Sequence, residues 1–391
     1  MVLVHCWGMA SSSETSLPIK CGGSFQNFLE EFLLTVSKTG ISEITVVTAL
    51  KKITQDKKVL LHDRSQKSFK MGFIDFSKRA VNQYRIQTGK KKIQEFSELF
   101  KKLENRYGIP SEIVVAFWAM ETDFGAVQGN FITINSLATL AHDCRRSELF
   151  QLELFHALKL IDIGSLQFDG MGAWAGEIGQ VQMLPSDILI YGTDGNNDGN
   201  VDLKSTPEDA LATAYKLIYH LGWEPNDPWL DEVVLKENFQ FGEAGFGRQR
   251  SVRDWKELGV DGISNAIIEK NLEAVLLLPQ GHKGPSFLAY PNYMMFLKWN
   301  DSFIYTVSAA YLANRLQGEA SFAHTNPEEI LEYDDMIRLQ KKLVALGEDV
   351  GKIDGILGAK TRQAVRKWQI KRGFIADSWP TRHFLSSLLS L

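Results

Sequence analysis

The sequence predicts a mainly α-helical protein with a smaller α-helical unit at its C-terminal end. Apolar residues recur at helical spacing in many segments, whereas the alternation typical of strands is scarce and confined to short pieces such as 233–241. Polar residues dominate 318–329, where Asn326 and Pro327 interrupt any helix. The four predicted regions are a disordered leader (1–23), a main domain with few short strands (24–317), a linker (318–332) and a C-terminal domain (333–391).

Capping residues and helix-breaking residues define the predicted helices. Ser24 suits the N-cap of a first helix that ends at Gly40. Thr206, followed by Pro207, suits the start of a helix that ends at Gly222. Other helices of the main domain are predicted near 91–106, 147–162 and 303–317. In the C-terminal unit, helices are predicted at 334–346, 361–373 and 382–391, with a glycine-rich loop between the first two.

Composition places the chain among ordinary globular proteins. Its 391 residues are 44% hydrophobic and 23% charged, and the net charge of −4 gives no reason to expect nucleic-acid binding. No apolar stretch approaches the roughly 18–20 residues that cross a bilayer, and the N-terminus lacks the basic start of a signal peptide. Cys6, Cys21 and Cys144 are too few and too scattered to predict a disulfide framework or a zinc site, so we expect free thiols.

An apolar segment carries one carboxyl group that stands out. Pro110 suits the first turn of a helix there and Gly125 suits its end. Helical spacing places Glu121 on the same face as Phe117 and Trp118. Burial beside these rings should raise the pKa of Glu121, which suits a general acid near neutral pH. From spacing alone, a glutamate that pairs with an arginine or points to solvent is the slightly better interpretation.

A second segment, 170–186, combines four glycines with two glutamines and a tryptophan. Glycine allows a backbone to approach a ligand closely, and glutamine can donate to and accept from hydroxyl and amide groups. This pattern indicates a loop that contacts a polar ligand. A tight junction between two helices, with no ligand, is the alternative.

Together the two segments resemble the B-type lytic murein transglycosylases. The likeness rests on Glu-Thr-Asp-Phe-Gly at 121–125 and on Trp-Ala-Gly-x-x-Gly-Gln-x-Gln-x-x-Pro-Ser at 174–186. It continues through 221–223, 298–302 and 311–313 and covers roughly residues 25–320. The resemblance implies a lysozyme-like α-helical catalytic domain, and it makes Glu121 the strongly favoured catalytic residue.

The resemblance implies a reaction in which one glutamate performs every proton transfer. Glu121 would protonate the oxygen of the β-1,4 bond between N-acetylmuramic acid and N-acetylglucosamine in peptidoglycan. The same carboxylate would then take the proton of the C6 hydroxyl, which closes a 1,6-anhydro ring without consuming water. No cofactor is required. The family likeness also implies that Gln182 contacts the saccharide and that Asn300 lies near Glu121.

Several positions near the expected substrate site depart from the family pattern. Ala173 stands where many relatives have Ser, and Phe76 stands where a Tyr often approaches the catalytic Glu. Glu177 takes a position that is usually small and apolar; a solvated loop residue is the favoured interpretation and a second acid the alternative. We count Phe76, Trp174 and Glu177 with the expected substrate-binding residues. Two other functions stay open, a catalytically silent peptidoglycan-binding protein and a muramidase-type hydrolase.

The segment 194–202 matches the first nine positions of an EF-hand calcium loop. The candidate ligands are Asp194, Asn196, Asp198, Asn200 and Asp202. The twelfth position of such a loop normally supplies a bidentate Glu, but Ser205 stands there. A structural calcium ion and a metal-free surface turn are equally good interpretations.

The C-terminal unit resembles the small three-helix peptidoglycan-binding domain. The likeness rests on 337–343, on the turn residues Asp354 and Gly355, and on Trp368 with Gln369. A wall-binding unit tethered to a wall-cleaving domain would raise the local substrate concentration. We therefore expect peptidoglycan glycan strands as the binding partner, a monomer, and a location in the periplasm or facing the cell wall.

Overall fold

The computed structural model describes residues 17–64, 71–323 and 326–391, and its helices confirm the mainly α-helical prediction. The helices of the main domain are α1 (Phe25–Val36), α2 (Glu43–Lys52), α3 (Lys57–Arg64), α4 (Phe73–Ala80), α5 (Gln83–Glu95), α6 (Ser97–Tyr107), α7 (Ser111–Thr122), α8 (Thr133–His142), α9 (Ser147–Asp162), α10 (Pro185–Tyr191), α11 (Pro207–His220), α12 (Val252–Glu257), α13 (Asn265–Lys270), α14 (Tyr293–Trp299) and α15 (Phe303–Gln317). Those of the C-terminal unit are α16 (Tyr333–Ala345), α17 (Ala359–Arg372) and α18 (Arg382–Leu389). None of these helices is long and apolar enough to cross a membrane.

The strands form two small antiparallel sheets. They are β1 (Phe131–Ile132), β2 (Met171–Gly172), β3 (Leu230–Leu235), β4 (Arg250–Ser251), β5 (Val260–Asp261), β6 (Glu273–Leu277) and β7 (Ser286–Ala289). β1 pairs with β2, and the other strands form one sheet in the order β4-β6-β7-β3-β5. The strand predicted near 233–241 is β3, which begins and ends earlier and pairs Asp231 with Leu288 of β7.

Helix α7 lies at the centre of the main domain. Phe117 and Val114 on the predicted apolar face are fully buried, and so are Ile113 and Val115 on other faces. The helix packs against α5, α11 and α15. The apolar face is therefore only part of a helix that is buried on nearly all sides, which makes a polar side chain at its end costly unless it is paired or functional.

The segment before α1 packs against the body of the main domain. Cys21 forms a disulfide with Cys144, which follows α8. The backbone of Ile19 exchanges two hydrogen bonds, of 2.8 and 2.9 Å, with the side chain of Gln151 on α9. These contacts hold the segment along α8 and α9.

Two sequence-based predictions are therefore wrong for the described residues. Residues 17–23 are packed instead of forming part of a disordered leader, and Cys21 and Cys144 are bonded instead of being free thiols. The two cysteines lie 123 positions apart, and local sequence patterns do not reveal which distant loops meet. Cys6 and the rest of the leader, 1–16, lie outside the described residues.

The C-terminal unit has a hydrophobic core of its own, in which Leu339 and Phe384 are fully buried. It also contacts the main domain through α17. The buried Arg362 donates hydrogen bonds to the carbonyl oxygens of Leu278 (3.3 Å) and Pro279 (2.7 Å), which follow β6. A separate core agrees with an independently folded unit, and the arginine contacts join it to the sheet.

Candidate active site

The last turn of α7 is fixed against the glycine- and glutamine-rich loop. The chain leaves the helix through left-handed residues, with φ of 48° at Asp123 and 87° at Gly125. A Cβ at Gly125 would lie 2.6 Å from Oε1 of Gln180, so only glycine fits there. The Thr122 hydroxyl donates to the backbone carbonyl of Gln180 at 2.5 Å. These contacts hold Glu121, one residue before, in a defined position.

Two donors from the far end of the chain hold one oxygen of Glu121. The Trp299 indole donates to Oε1 at 3.0 Å, and the Tyr305 hydroxyl donates to the same oxygen. Trp299 stacks on Phe117 of α7 with ring centroids 4.2 Å apart, which keeps the indole in place. The other oxygen, Oε2, is inaccessible to solvent and has no hydrogen-bond partner among the described residues.

This environment makes Glu121 a weaker acid than an ordinary glutamate. Burial raises the pKa of Glu121 to about 7, and the charge of Glu177 contributes a smaller part of that rise. The hydrogen bonds from Tyr305 and Trp299 act in the opposite direction because they stabilise the carboxylate. The group therefore exchanges its proton near neutral pH, as the sequence led us to expect of a general acid.

Sequence reasoning missed both donors. Trp299 lies within the segment 298–302 that carried part of the resemblance, so its position gave a signal that was not used. Tyr305 meets Glu121 across 184 positions, and nothing in the local pattern at the start of α15 marks it. Phe76 on α4 is partly buried against the main core, and the hydroxyl that reaches Glu121 comes from Tyr305.

The two glutamines of the loop differ in role. Gln180 joins elements: its Oε1 accepts from the Trp118 indole at 3.1 Å and its amide donates to the Lys204 carbonyl at 3.2 Å. Gln182 has a left-handed backbone, with φ of 53°, and its amide nitrogen donates to the carbonyls of Gly179 (2.9 Å) and Gln128 (3.2 Å). Within the part of the chain described, nothing donates to the amide oxygen of Gln182, so that oxygen is available to a ligand.

Glu177 does not lie in solvent as we had favoured. Only 4% of its surface is exposed, and its Oε2 lacks a hydrogen-bond partner among the residues described. Burial raises the pKa of this carboxyl too, while the charge of Arg146 lowers it. The loop closes over the side chain because the backbone folds back at Ala173, whose N–H donates to the Glu177 carbonyl at 2.8 Å.

The remaining predicted residues lie at different depths. Asn300 is buried, and its Oδ1 accepts from the Ser302 backbone N–H at 2.9 Å; it makes no hydrogen bond to Glu121, although it follows Trp299 directly. Trp174 is partly buried and stacks on the exposed His62, with centroids 6.3 Å apart. The loop therefore offers the amide of the buried Gln182 and the aromatic ring of the partly buried Trp174.

The predicted calcium loop is a mostly exposed turn. Asn196 donates to the Asp198 carboxylate at 2.9 Å, and the Asp194 carboxylate accepts from the Gly199 N–H at 2.8 Å. Ser205 supplies no carboxylate, and no group of three or more His, Cys, Asp or Glu side chains in the described ranges is arranged to hold a metal ion. The residues present supply an incomplete set of calcium ligands.

Comparisons with known proteins define the class of this chain. The family described as transglycosylase SLT domain matches residues 24–314, and the chain belongs to that family of enzymes. The family described as putative peptidoglycan binding domain matches residues 332–378.

Individual relatives agree with this assignment. The structure of SltB3 from Pseudomonas aeruginosa in complex with NAG-anhNAM-pentapeptide is similar to this chain, with a TM-score of 0.87 and 32% sequence identity. The match covers 94% of this chain and 100% of the SltB3 chain. The Escherichia coli lytic transglycosylase SLT35, in complex with calcium, shares the fold, with a TM-score of 0.65 and 24% identity over 76% of this chain and 95% of that chain. Membrane-bound lytic murein transglycosylase B of Escherichia coli is 28% identical over 170 residues, which are 43% of this chain and 46% of that protein. The chain therefore aligns with less than half the length of this curated relative.

Proposed function

We propose that this protein is a lytic transglycosylase that cleaves the β-1,4 bond between N-acetylmuramic acid and N-acetylglucosamine in peptidoglycan. The observation that carries the proposal is the state of Glu121. One carboxyl oxygen is held by Trp299 and Tyr305, while Oε2 has no partner in the described part of the chain. A carboxyl group that is protonated near neutral pH and has one unengaged oxygen is suited to donate a proton to a substrate.

In the first step, protonated Glu121 donates its proton from Oε2 to the glycosidic oxygen as the bond to C1 of the muramic acid breaks. The sugar becomes positively charged at C1, as in other glycosidic cleavages. Its own acetamido oxygen stabilises that charge. Tyr305 and Trp299 continue to donate to Oε1 and stabilise the new carboxylate.

In the second step, the Glu121 carboxylate takes the proton of the C6 hydroxyl of the same sugar. The C6 oxygen bonds to C1, which closes the 1,6-anhydro ring and restores protonated Glu121. Atoms balance without water, so one carboxyl group acts first as acid and then as base.

We place the substrate along the loop that surrounds Glu121. The free amide oxygen of Gln182 can accept from an acetamido N–H or a hydroxyl, and the unpartnered Nδ2 of Asn300 can donate. The ring of Trp174 offers an apolar face to a sugar. Phe76 and Glu177 border the same region and complete the proposed contacts.

A muramidase-type hydrolase is the second candidate, and the buried carboxyl of Glu177 favours it. Hydrolysis of this bond normally uses a second carboxylate, either as nucleophile or as the base that activates water. The negative charge of Glu177 contributes to the raised pKa of Glu121, which supports a second acidic group acting in this region. The two candidates differ in the end that they leave on the muramic acid.

We propose that the chain is divided into a catalytic domain at 24–317, a linker at 318–332 and a peptidoglycan-binding domain at 333–391. The separate core of the C-terminal unit supports this division. Binding of the same polymer by the second domain would raise the substrate concentration at Glu121. The partner is then the glycan strand, bound by a monomer.

We also propose that the protein works outside the cytoplasmic membrane, in the periplasm or facing the wall. Its substrate lies there, and the disulfide between Cys21 and Cys144 is of a kind that persists in oxidising compartments.

No cofactor takes part in the proposed reaction, and we propose that the loop at 194–202 binds Ca²⁺ weakly as a structural ion only. The side-chain oxygens of Asp194 and Asn196 both accept from the Asp198 backbone N–H, and the Asp198 carboxylate accepts from the Asn196 amide, so these oxygens gather within the turn. Added calcium should raise the melting temperature slightly, and Asp198→Asn should remove that effect. An equal melting temperature with calcium and with chelator would exclude the site.

Purified sacculi provide the test of function. The wild-type protein should release fragments that end in anhydromuramic acid, detected by mass as the loss of one water, and Glu121→Gln should release none. Reducing ends would establish the muramidase, and the absence of any product would leave a silent binding protein. Equal digestion by Glu121→Gln would remove Glu121 from the mechanism.

A further inference from the structure

Both donors to Glu121 lie on one short segment, 299–305, which runs from the end of α14 into the start of α15. The Trp299 indole donates to Oε1 at 3.0 Å, and the Tyr305 hydroxyl donates to the same oxygen. Only residues 300–302 lie between the two helices. Contacts that fix this segment therefore also fix the hydrogen bonds that Glu121 receives.

Local contacts hold the first turn of α15 against α14. Ser302 caps α15, and its hydroxyl accepts from the Tyr305 backbone N–H. The Thr306 hydroxyl is hydrogen-bonded at 2.9 Å to the hydroxyl of Tyr293 on α14. The first residue of α15, Phe303, directs its ring elsewhere, towards the C-terminal unit.

Phe303 packs against a buried arginine of the C-terminal unit. The Arg362 guanidinium, on α17, lies over the Phe303 ring, with Cζ 4.9 Å from the ring centroid. Phe246 of the main domain meets the same ring edge-on, with the centroids 5.6 Å apart. Phe303 is thus enclosed between the two parts of the chain, and Tyr305 follows it by two positions on the same helix.

Arg362 is held in place without a paired carboxylate. It donates to the carbonyls of Leu278 (3.3 Å) and Pro279 (2.7 Å), and its Cζ lies 5.6 Å from the ring centroid of Trp379. Within the described ranges no carboxylate forms an ion pair with it, and its buried Nε has no hydrogen-bond partner. Burial of an incompletely paired charge is costly, so its place beside the start of α15 calls for a functional explanation.

Arg362 keeps its positive charge at neutral pH in spite of its burial. Burial lowers the pKa of Arg362 to about 10, and the charge of Asp377 acts in the opposite direction. Asp377 is itself hydrogen-bonded to His282 (2.6 Å) and to Gln369 (3.0 Å). The guanidinium therefore remains a cation over the Phe303 ring, and cation–π attraction holds the two together.

We propose that Arg362 is a positioning residue for the catalytic site, because it holds the Phe303 ring and with it the start of α15. The Tyr305 hydroxyl, two positions along this helix, is thereby kept on Glu121. In addition to the wall binding proposed for it, the C-terminal unit then supplies a contact that the site needs. This inference rests on the proposed role of Glu121 as the general acid.

The Arg362→Met variant tests the proposal, since it removes the charge and the donors but keeps a long side chain. With soluble peptidoglycan oligosaccharides as substrate, kcat should fall about tenfold, because the hydrogen bond from Tyr305 to the Glu121 carboxylate weakens. KM should stay close to the wild-type value. A change in KM alone would overturn the proposal, because Arg362 would then act in substrate binding.

The pH profile separates positioning from a general loss of stability. The hydrogen bond from Tyr305 lowers the pKa of Glu121, so weakening it should move the fall in activity at high pH to higher pH, by about one unit. In a Tyr305→Phe background, Arg362→Met should cause no further shift, because both changes act on the same hydrogen bond. An unshifted profile for Arg362→Met, or two shifts that add, would overturn the proposal.

His282→Ala is the matched control. The His282 ring also joins the two parts of the chain, through Asp377, but it packs on Phe241 and is not in ring contact with Phe303. Its pH profile should keep the wild-type position. The same shift in His282→Ala would assign the effect to docking of the C-terminal unit as a whole and overturn the role of Arg362.

Phe303→Leu tests the same contact from the main domain and keeps the proposal testable if Arg362→Met fails to fold. Loss of the ring removes the surface on which the guanidinium lies, so the fall in activity should again move to higher pH. A folded Phe303→Leu protein with the kcat and the pH profile of the wild type would contradict the proposal.

A titration that needs no activity separates this inference from the proposed function. The carboxyl carbon of Glu121, followed by NMR and assigned with Glu121→Gln, should titrate at higher pH in Arg362→Met than in wild type. An equal titration would overturn the positioning role. If the wild-type protein fails to cleave sacculi, the proposed function fails, yet this titration still decides whether Arg362 controls the hydrogen bond to Glu121.

Discussion

Glu121 and Glu153 are glutamates in buried settings that share a pKa raised to about 7 by burial, yet their hydrogen bonding differs. Glu153 on α9 has both oxygens occupied by Ser186 at the start of α10, Oε2 by the backbone N–H (3.0 Å) and Oε1 by the hydroxyl (2.7 Å). Glu121 receives Trp299 and Tyr305 on one oxygen, and its Oε2 has no partner within the described residues.

A raised pKa alone therefore does not distinguish Glu121, which we propose as the catalytic carboxyl, from Glu153. Glu153 uses its oxygens to hold Ser186 and thereby joins two helices, which is a structural task. Glu121 keeps one oxygen unengaged at the end of a buried helix, and in the proposed mechanism this oxygen contacts the substrate. The number of hydrogen-bonded carboxyl oxygens distinguishes Glu153 from Glu121, whereas burial and pKa do not.

The largest expected difference in activity is between the variants that remove one carboxyl each, Glu121→Gln and Glu153→Gln. Glu121→Gln should lower the rate of sacculus digestion by about a thousandfold or more, since one group supplies both the acid and the base. Glu153→Gln should keep most of the activity, because it only weakens a contact between helices. Release of soluble fragments measures both. Equal losses of activity in the two folded variants would mean that Glu153, whose oxygens are both hydrogen-bonded, matters as much for digestion as Glu121.

A smaller effect is expected from Tyr305→Phe, which makes Glu121 lose one of its donors. A hydrogen bond to a charged group is worth about 1.5–3 kcal/mol, so kcat should fall by roughly ten- to a hundredfold. Because this hydrogen bond lowers the pKa of Glu121, the fall in activity at high pH should move to higher pH. Tyr290→Phe is the control, since its hydroxyl donates to Asp231 at 2.8 Å instead. A shift to lower pH in Tyr305→Phe would contradict the assignment.

The smallest effect concerns stability. Both glutamates have a folded-state pKa of about 7 against an ordinary value of 4.5, so between these pH values the unfolded chain ionises first and each carboxyl costs stability as pH rises. At pH 8, Glu121→Gln removes that cost and should raise the melting temperature by about 2 °C. Glu153→Gln removes the same cost but weakens the contacts with Ser186, so its melting temperature should rise less. Thermal unfolding at pH 5 and pH 8 measures this, and a lower melting temperature for Glu121→Gln at pH 8 would contradict it.

The helical class could be predicted from sequence because it depends on local spacing. The domain boundaries and the catalytic role of Glu121 rest on motifs and stay predictions. The donors to Glu121 could not be predicted, since Trp299 and Tyr305 reach it across 178 and 184 positions. The burial of Glu177 was missed for a similar reason. A glycine-rich loop looks solvated in sequence, and only its folding over the end of α7 encloses the side chain.

Digestion of sacculi in water labelled with oxygen-18 tests the central claim most directly. If the Glu121 carboxylate takes the proton of the C6 hydroxyl, water is not consumed, and the newly formed muramic acid ends should contain no label and be anhydro sugars. Glu121→Gln should form no such ends. Labelled reducing ends from the wild-type protein would show that water attacks the sugar, and the account of a single carboxyl acting as acid and base would be wrong.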